Sequence, residues 1–177
     1  MCIRDSIITA DVFNGKIYKT SIQTNSSEII YSHKYGANTA REDSTGSLWF
    51  TQSTQNQNEE RLFGALDKAI PDGALYRLPV SKDGTLSKPE LILKNLYFAN
   101  GFYIDEKRNK LYLSEMMKNR VLSFDLDIST GFLSNQTTLA VMPTPDNMEL
   151  NSEGKLWVAS PLSNQIYSID PENGEFY

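Results

Sequence analysis

The chain is expected to be all-β: about three to three and a half four-stranded blades of a β-propeller. Three observations predict this. Short alternating apolar runs recur along the chain, turn residues punctuate them at even spacing, and a longer motif repeats three times in one register. Of the 177 residues, 40 % are hydrophobic and 22 % charged, a globular composition that fits one domain of ordinary size. The net charge of −5 argues against a nucleic-acid partner, which calls for a basic face. No apolar run approaches the ~18 residues of a membrane-spanning helix.

The strand signals are runs rich in Tyr, Leu, Ile and Val. In chain order they include "SIITADV", "GKIYKTSI", "EIIYSH", "SLWFTQS", "GALYRLPV", "PELILKN", "FYID", "KLYLSEM", "RVLSFDLD", "TTLAVM", "MELN", "KLWVAS" and "QIYSIDP". Turn residues separate nearly all of them, as in "FNG", "STG", "KDG", "EKRN", "SEG" and "PENG", because Gly, Asn and Asp tolerate the backbone geometry that tight turns need.

The repeat fixes the architecture. Asn38, Asn100 and Asp146 each stand five residues before Asp43, Asp105 and Asn151, and an aromatic-bearing strand follows each time. The last two units are 146 − 100 = 46 residues apart, close to the ~40–50 of a four-stranded propeller blade. The first two are 100 − 38 = 62 apart, and the excess falls in a polar insertion, Ser53 to Gly73. Long loops in compact repeats are functional or idle, so this one is a rim or lid over a site, or surface only. The unit from Ala99 reads as one whole blade, with its first strand nearest the axis. Ile7 to His33 supply the outer strands of a preceding blade, and the residues after Asp146 supply three strands of a following one. Blades are thus entered near 38, 100 and 146. Closed propellers have ~4–8 blades, so residues 7–177 read as part of a ring.

The opening "MCIRDS", residues 1–6, back-translates to the end of a sequencing adapter and is set aside as a scar. Cys2, the one cysteine, then carries no information about redox compartment.

Residues at one end of successive inner strands converge near a propeller's axis. Asn38, Asn100 and Asp146, with Asn147 beside the last, are therefore expected to gather amide carbonyl oxygens and one carboxylate. Such hard oxygen donors suit Ca²⁺, which takes ~6–8 oxygens. No thiolate or imidazole stands in the set, which disfavours zinc and copper. Taken singly, each residue is as well explained by turn chemistry. The shared register is what favours a site.

"FANGFYIDEKRNKLYLSEMMKNRVLSFDLD" resembles the corresponding blade of paraoxonases, and "PDNMELNSEGKLWVAS" is similar to a stretch of strictosidine-synthase-like proteins. Both belong to the wider senescence-marker-protein/gluconolactonase group of six-bladed calcium propellers. "ADVFNGKIYKT", "SLWFTQST" and "GALYRL" resemble further strands of that group, so the similarity spans most of the chain. The resemblance implies that Asn38, Asn100, Asp146 and Asn147 bind a catalytic calcium, and that the protein hydrolyses a small-molecule lactone or ester. It implies an oxyanion-holding role for Asn38 and a base or nucleophile role for Asp146. Two positions depart from the family pattern: Thr39 stands where relatives carry Asp, and Gln52 where they often carry Asp. An acidic ligand and a pair of catalytic histidines from upstream have no match.

Other candidates read as structural. His33, the one histidine, has a base's intrinsic pKa but ends an outer strand and is expected on the surface or a loop. Glu115 is expected to be a solvated or hydrogen-bonded carboxylate. Trp49 and Trp157 occupy equivalent positions and are expected to pack between blades. The sequons at Asn25 and Asn135 need a secretory context to mean anything. Two rival functions stand beside the calcium hydrolase. One is a strictosidine-synthase-like propeller with other chemistry or none; the other is a non-enzymatic binding propeller.

Overall fold

A computed structural model describes residues 5–56, 64 and 67–177. Among these residues fourteen strands form four antiparallel sheets in chain order. Sheet 1 holds β1 (Ser6–Ala10), β2 (Lys16–Ser21) and β3 (Ser27–Ser32). Sheet 2 holds β4 (Ala40–Glu42), β5 (Leu48–Gln52), β6 (Gly73–Leu78) and β7 (Glu90–Leu96). Sheet 3 holds β8 (Ala99–Asp105), β9 (Lys110–Glu115), β10 (Arg120–Asp127) and β11 (Phe132–Val141). Sheet 4 holds β12 (Met148–Leu150), β13 (Leu156–Ser160) and β14 (Gln165–Ile169). Within each sheet every strand pairs with its neighbour in sequence. The chain then steps from one sheet's last strand to the next sheet's first, as consecutive propeller blades do.

Strand alternation explains why the sheets stack. Side chains one apart point to opposite faces, so a sheet between two others must be apolar on both. In sheet 2, Leu48 and Phe50 join Ile17, Ala37 and Leu78 against sheet 1, while Trp49 and Leu75 join Phe102, Leu111 and Leu113 against sheet 3. Sheet 3 repeats the arrangement, with Tyr112 and Val121 packing onto Met148, Leu156 and Val158 of sheet 4. Every residue of β5 is buried.

The hairpins between the first and second strands are built alike. Asp43 Oδ1 accepts from the backbone N–H groups of Thr45 and Ser47, and Asn151 Oδ1 from those of Glu153 and Lys155. Asp105 Oδ1 accepts from the Arg108 N–H. These are side-chain turns of the kind Asp and Asn favour. Asp43 also takes the indole N–H of Trp49 on its second oxygen at 2.7 Å.

Several expectations changed in detail. Strand β11 begins at Phe132, five residues before the "TTLAVM" run. Trp49 is buried between sheets 2 and 3 as expected, but Trp157 is 53 % exposed, because no sheet among the described residues covers its face of sheet 4. Asp5 and Ser6 join sheet 1, whereas Met1 to Arg4, including Cys2, lie outside the described residues. Most of the Ser53–Gly73 insertion, residues 57–63 and 65–66, lies outside them too.

Candidate metal centre

The three repeat units align in space as they do in sequence. The Asn38 N–H donates to the Thr51 carbonyl at 2.8 Å, and the Thr51 N–H returns to the Thr39 carbonyl at 2.9 Å. In sheet 4 the Asp146 N–H donates to the Ala159 carbonyl at 2.8 Å, and the Ala159 N–H returns to Asn147 at 2.9 Å. Asp146 is thus the register mate of Asn38, and Asn147 of Thr39. In sheet 3 the corresponding pair is Asn100 and Gly101, at a β-bulge where the β8–β9 pairing shifts register. A bulge re-aims a side chain.

Gly101 shows how close the strands come. A Cβ added there would lie 2.4 Å from the Asn147 Cα and 2.8 Å from the Asp146 carbonyl oxygen. Only glycine lets the second and third units meet.

Each donor is held differently. Asn38 gives its amide N–H to Ser53 Oγ at 2.9 Å. Asn100 is 3 % exposed; its amide nitrogen contacts Met116 Sδ at 3.5 Å, and its buried Oδ1 has no hydrogen-bond partner among the described residues. An orphaned buried acceptor costs on the order of 1–3 kcal/mol, so it asks for a donor or a cation. Asp146 is partly buried; loss of solvation pushes its carboxyl above the usual carboxylate range, and the Asn147 backbone and the Asn100 amide offset part of the rise. Asn147 is exposed, and its Oδ1 takes the Thr39 hydroxyl at 2.6 Å.

A partly desolvated carboxylate beside an orphaned amide oxygen, amid neutral oxygen donors, fits a hard cation such as Ca²⁺. Among the described residues no group of three His, Cys, Asp or Glu is placed to hold a metal. A cation here would depend on amide oxygens.

Two further layers follow along the same inner strands. Three residues on from Asn38, Asn100 and Asp146 stand Arg41, Tyr103 and Glu149. Arg41 donates to the Met148 carbonyl at 2.9 Å and to Glu149 at 2.6 Å, and its guanidinium lies 5.2 Å from the centre of the Tyr103 ring. This layer ties three sheets together beneath the donors, and sequence reading missed it. The signal was present, since all three lie at one offset from the repeated residue. Five residues on lie the turn-forming Asp43, Asp105 and Asn151. A cavity of about 730 Å³ runs along β1 and β4 and reaches Thr39 and Arg41.

The other candidates sit apart. Glu115 is 1 % exposed and paired with Arg120 at 2.6 Å, and it also accepts the Tyr97 N–H. It is a structural carboxylate. His33 is not an ordinary surface residue. It is wedged among Tyr31, Tyr35, Phe50 and Tyr76, with ring centres 4.8–6.3 Å away, and burial pushes its imidazole pKa down. Gln52, on the neighbouring strand, contacts it at 3.4 Å and donates to the Asp72 carbonyl.

The SMP-30/Gluconolactonase/LRE-like region family matches residues 14–177. Among curated proteins the chain is similar to regucalcin of Danio rerio, 32 % identical over 110 residues, which are 60 % of this chain and 36 % of that protein. It is also similar to the STRICTOSIDINE SYNTHASE-LIKE 7 protein of Arabidopsis thaliana, 26 % identical over 165 residues, 90 % of this chain and 42 % of that one. Among solved structures, a gluconolactonase of Xanthomonas campestris superimposes at a TM-score of 0.69 with 19 % identity, covering 97 % of this chain and 56 % of that one. A regucalcin described as a calcium-binding protein, from Agrobacterium tumefaciens, superimposes at 0.69 with 14 % identity, over 97 % and 55 %. The chain spans well under half the length of these curated relatives. The structural likenesses carry the propeller fold.

Proposed function

Because the chain belongs to the SMP-30/gluconolactonase/LRE-like family, we propose that it forms most of the metal shell of a calcium-dependent hydrolase acting on small-molecule lactones or esters. In this reading the shell is Asn38, Asn100, Asp146 and Asn147. One observation carries it: the buried Asn100 Oδ1 has no partner among the described residues and stands beside the partly desolvated carboxylate of Asp146. A calcium ion held there would act as a Lewis acid toward the substrate carbonyl.

The chain's own residues supply the rest. Ser53 engages the Asn38 amide nitrogen, which leaves Asn38 Oδ1 for the shell and a second N–H hydrogen for a developing oxyanion. In this reading Asp146 accepts a proton from an attacking water through whichever carboxylate oxygen stays outside the shell. Water then adds to the carbonyl carbon, the ring C–O bond breaks, and the leaving alkoxide takes up a proton. Lactone rings fit this reading because the Xanthomonas campestris relative is named a gluconolactonase. Calcium fits it because the Agrobacterium tumefaciens relative is described as calcium-binding.

The test is calcium titration of the protein expressed over its full natural length, followed by thermal unfolding. Saturation to a hundredfold over Kd should stabilise by about 2.7 kcal/mol, and Asn100→Ala or Asp146→Ala should abolish the gain. Hydrolysis of δ-gluconolactone should be lost with chelator and regained with calcium. Unfolding that ignores calcium would overturn the assignment. Similarity to the STRICTOSIDINE SYNTHASE-LIKE 7 protein across 90 % of the chain favours a second reading, in which the same shell serves other chemistry. Calcium-dependent stability without lactone or ester turnover would select it.

A further inference from the structure

Thr39 occupies, in the first unit, the position that Asn147 occupies in the third. Its backbone is fixed on both sides by Thr51: the Thr51 N–H donates to the Thr39 carbonyl, and the Thr39 N–H donates to Thr51 Oγ1 at 3.2 Å. Thr51 is fully buried and donates its own hydroxyl to the Asn100 carbonyl at 2.8 Å. The Thr39 side chain is thus anchored to the β4–β5 pair and, through Thr51, to the start of β8 at Asn100. From that anchor its hydroxyl reaches Asn147 Oδ1 at 2.6 Å and lies 3.2 Å from Asn38 Oδ1. Among the described residues, this hydroxyl supplies the hydrogen bond that holds the exposed Asn147 side chain.

We propose that Thr39 is a positioning residue for the metal centre, whose hydroxyl holds the amide oxygen of Asn147 in the donor layer without being a ligand itself. The inference rests on the calcium reading above. The physical reason is preorganisation. An exposed Asn has two free torsions, and fixing them at the moment of binding costs affinity. A hydroxyl donor occupies one lone pair of Asn147 Oδ1 and leaves the other for a cation. An anionic side chain in place of Thr39 would instead draw the cation to itself. The hydroxyl therefore makes the first unit a support for the third, and Asp146 stays the one carboxylate among the four donors.

The test is calcium affinity by titration calorimetry, with calcium chloride as the probe and the protein expressed over its full natural length. Thr39→Val keeps the shape and removes the hydroxyl; Thr39→Ser keeps the hydroxyl. Thr39→Val should weaken calcium binding about 3- to 10-fold, Thr39→Ser should stay within about twofold, and the melting temperature of the metal-free protein should hold within about a degree. A positioning role also predicts non-additivity: in an Asn147→Ala background, Thr39→Val should cost nothing further. A full loss in that background overturns the proposal, since the hydroxyl would then act elsewhere. Equal affinity of wild type and Thr39→Val overturns it while leaving the calcium shell standing. Absence of calcium binding by the wild type removes both.

Discussion

At the scale of single residues, the repeated Asn or Asp had two explanations, and the structure divides them by position. Asp43, Asp105 and Asn151 cap hairpins, as their backbone hydrogen bonds show. Their register mates five residues earlier do something else. Asn100 is buried with an unused oxygen, and Asp146 is a partly desolvated carboxylate. Desolvation of Asp146 has a sign that can be measured. A carboxyl whose folded-state pKa is raised contributes stability that is fully present below its unfolded value of ~3.9 and lost as pH rises through the higher folded value. At neutral pH the metal-free protein therefore bears the cost of a charged, partly buried group. Asp146→Asn should raise the melting temperature of the metal-free protein by about 1–3 °C at pH 7 and, on the calcium reading proposed above, remove the stabilisation by calcium. A thermal scan in chelator, repeated with calcium, checks both. A variant less stable than wild type in chelator would show that the carboxylate's hydrogen bonds outweigh its desolvation. The alignment of Asn38, Asn100 and Asp146 was legible here because one-dimensional register survives folding. The Thr39 bond to Asn147 was not, because a contact across 108 positions leaves no trace in local pattern.

At the scale of elements, strand alternation announced nearly every strand, and the inter-sheet clusters follow from it. The fate of individual side chains depended on which neighbour covers each face, and that is information about the stack rather than the strand. Trp49 and Trp157 illustrate it: they share a register, yet one lies between two sheets and the other on an uncovered one. His33 is the same lesson reversed. It ends an outer strand, and the next sheet brings Phe50 and Tyr76 over it. Burial lowers its pKa, so the neutral imidazole is the form that fits the sheet 1–sheet 2 junction. Its contribution is present above the unfolded value of ~6.5 and is lost as pH falls through the lower folded-state value. The melting temperature should therefore drop as pH is lowered from 7 to 5. His33→Phe, which keeps an aromatic ring among those aromatic neighbours, should flatten that drop. Parallel curves for variant and wild type would mean that other groups set the acid limb.

At the scale of the whole molecule, two sheets enclosed on both faces are flanked by two that are not. The uncovered face of sheet 4 carries Trp157, Ile166 and Tyr177, which share one side because Tyr177 and Trp157 both pair with Ser168 while Ile166 lies opposite Ala159. Ile166 is 69 % exposed. At the other end, Ile7 and Ile29 stand exposed on the far face of sheet 1, and β1 pairs only with β2 among the described residues. Apolar faces and open strand edges of this kind are association surfaces in water. The solved propellers that superimpose on the chain are nearly twice its length. The 177 residues expressed alone should self-associate through these faces. On size exclusion they should elute as oligomers or aggregate at micromolar concentration. The pair Trp157→Lys and Ile166→Lys should shift them toward monomer, since two charges on one face oppose its burial, while Phe132→Lys, exposed at the rim of an enclosed sheet, should not. A monomeric wild-type chain would show that these four sheets are self-sufficient, and that the apolar residues on their end faces are too sparse to drive association.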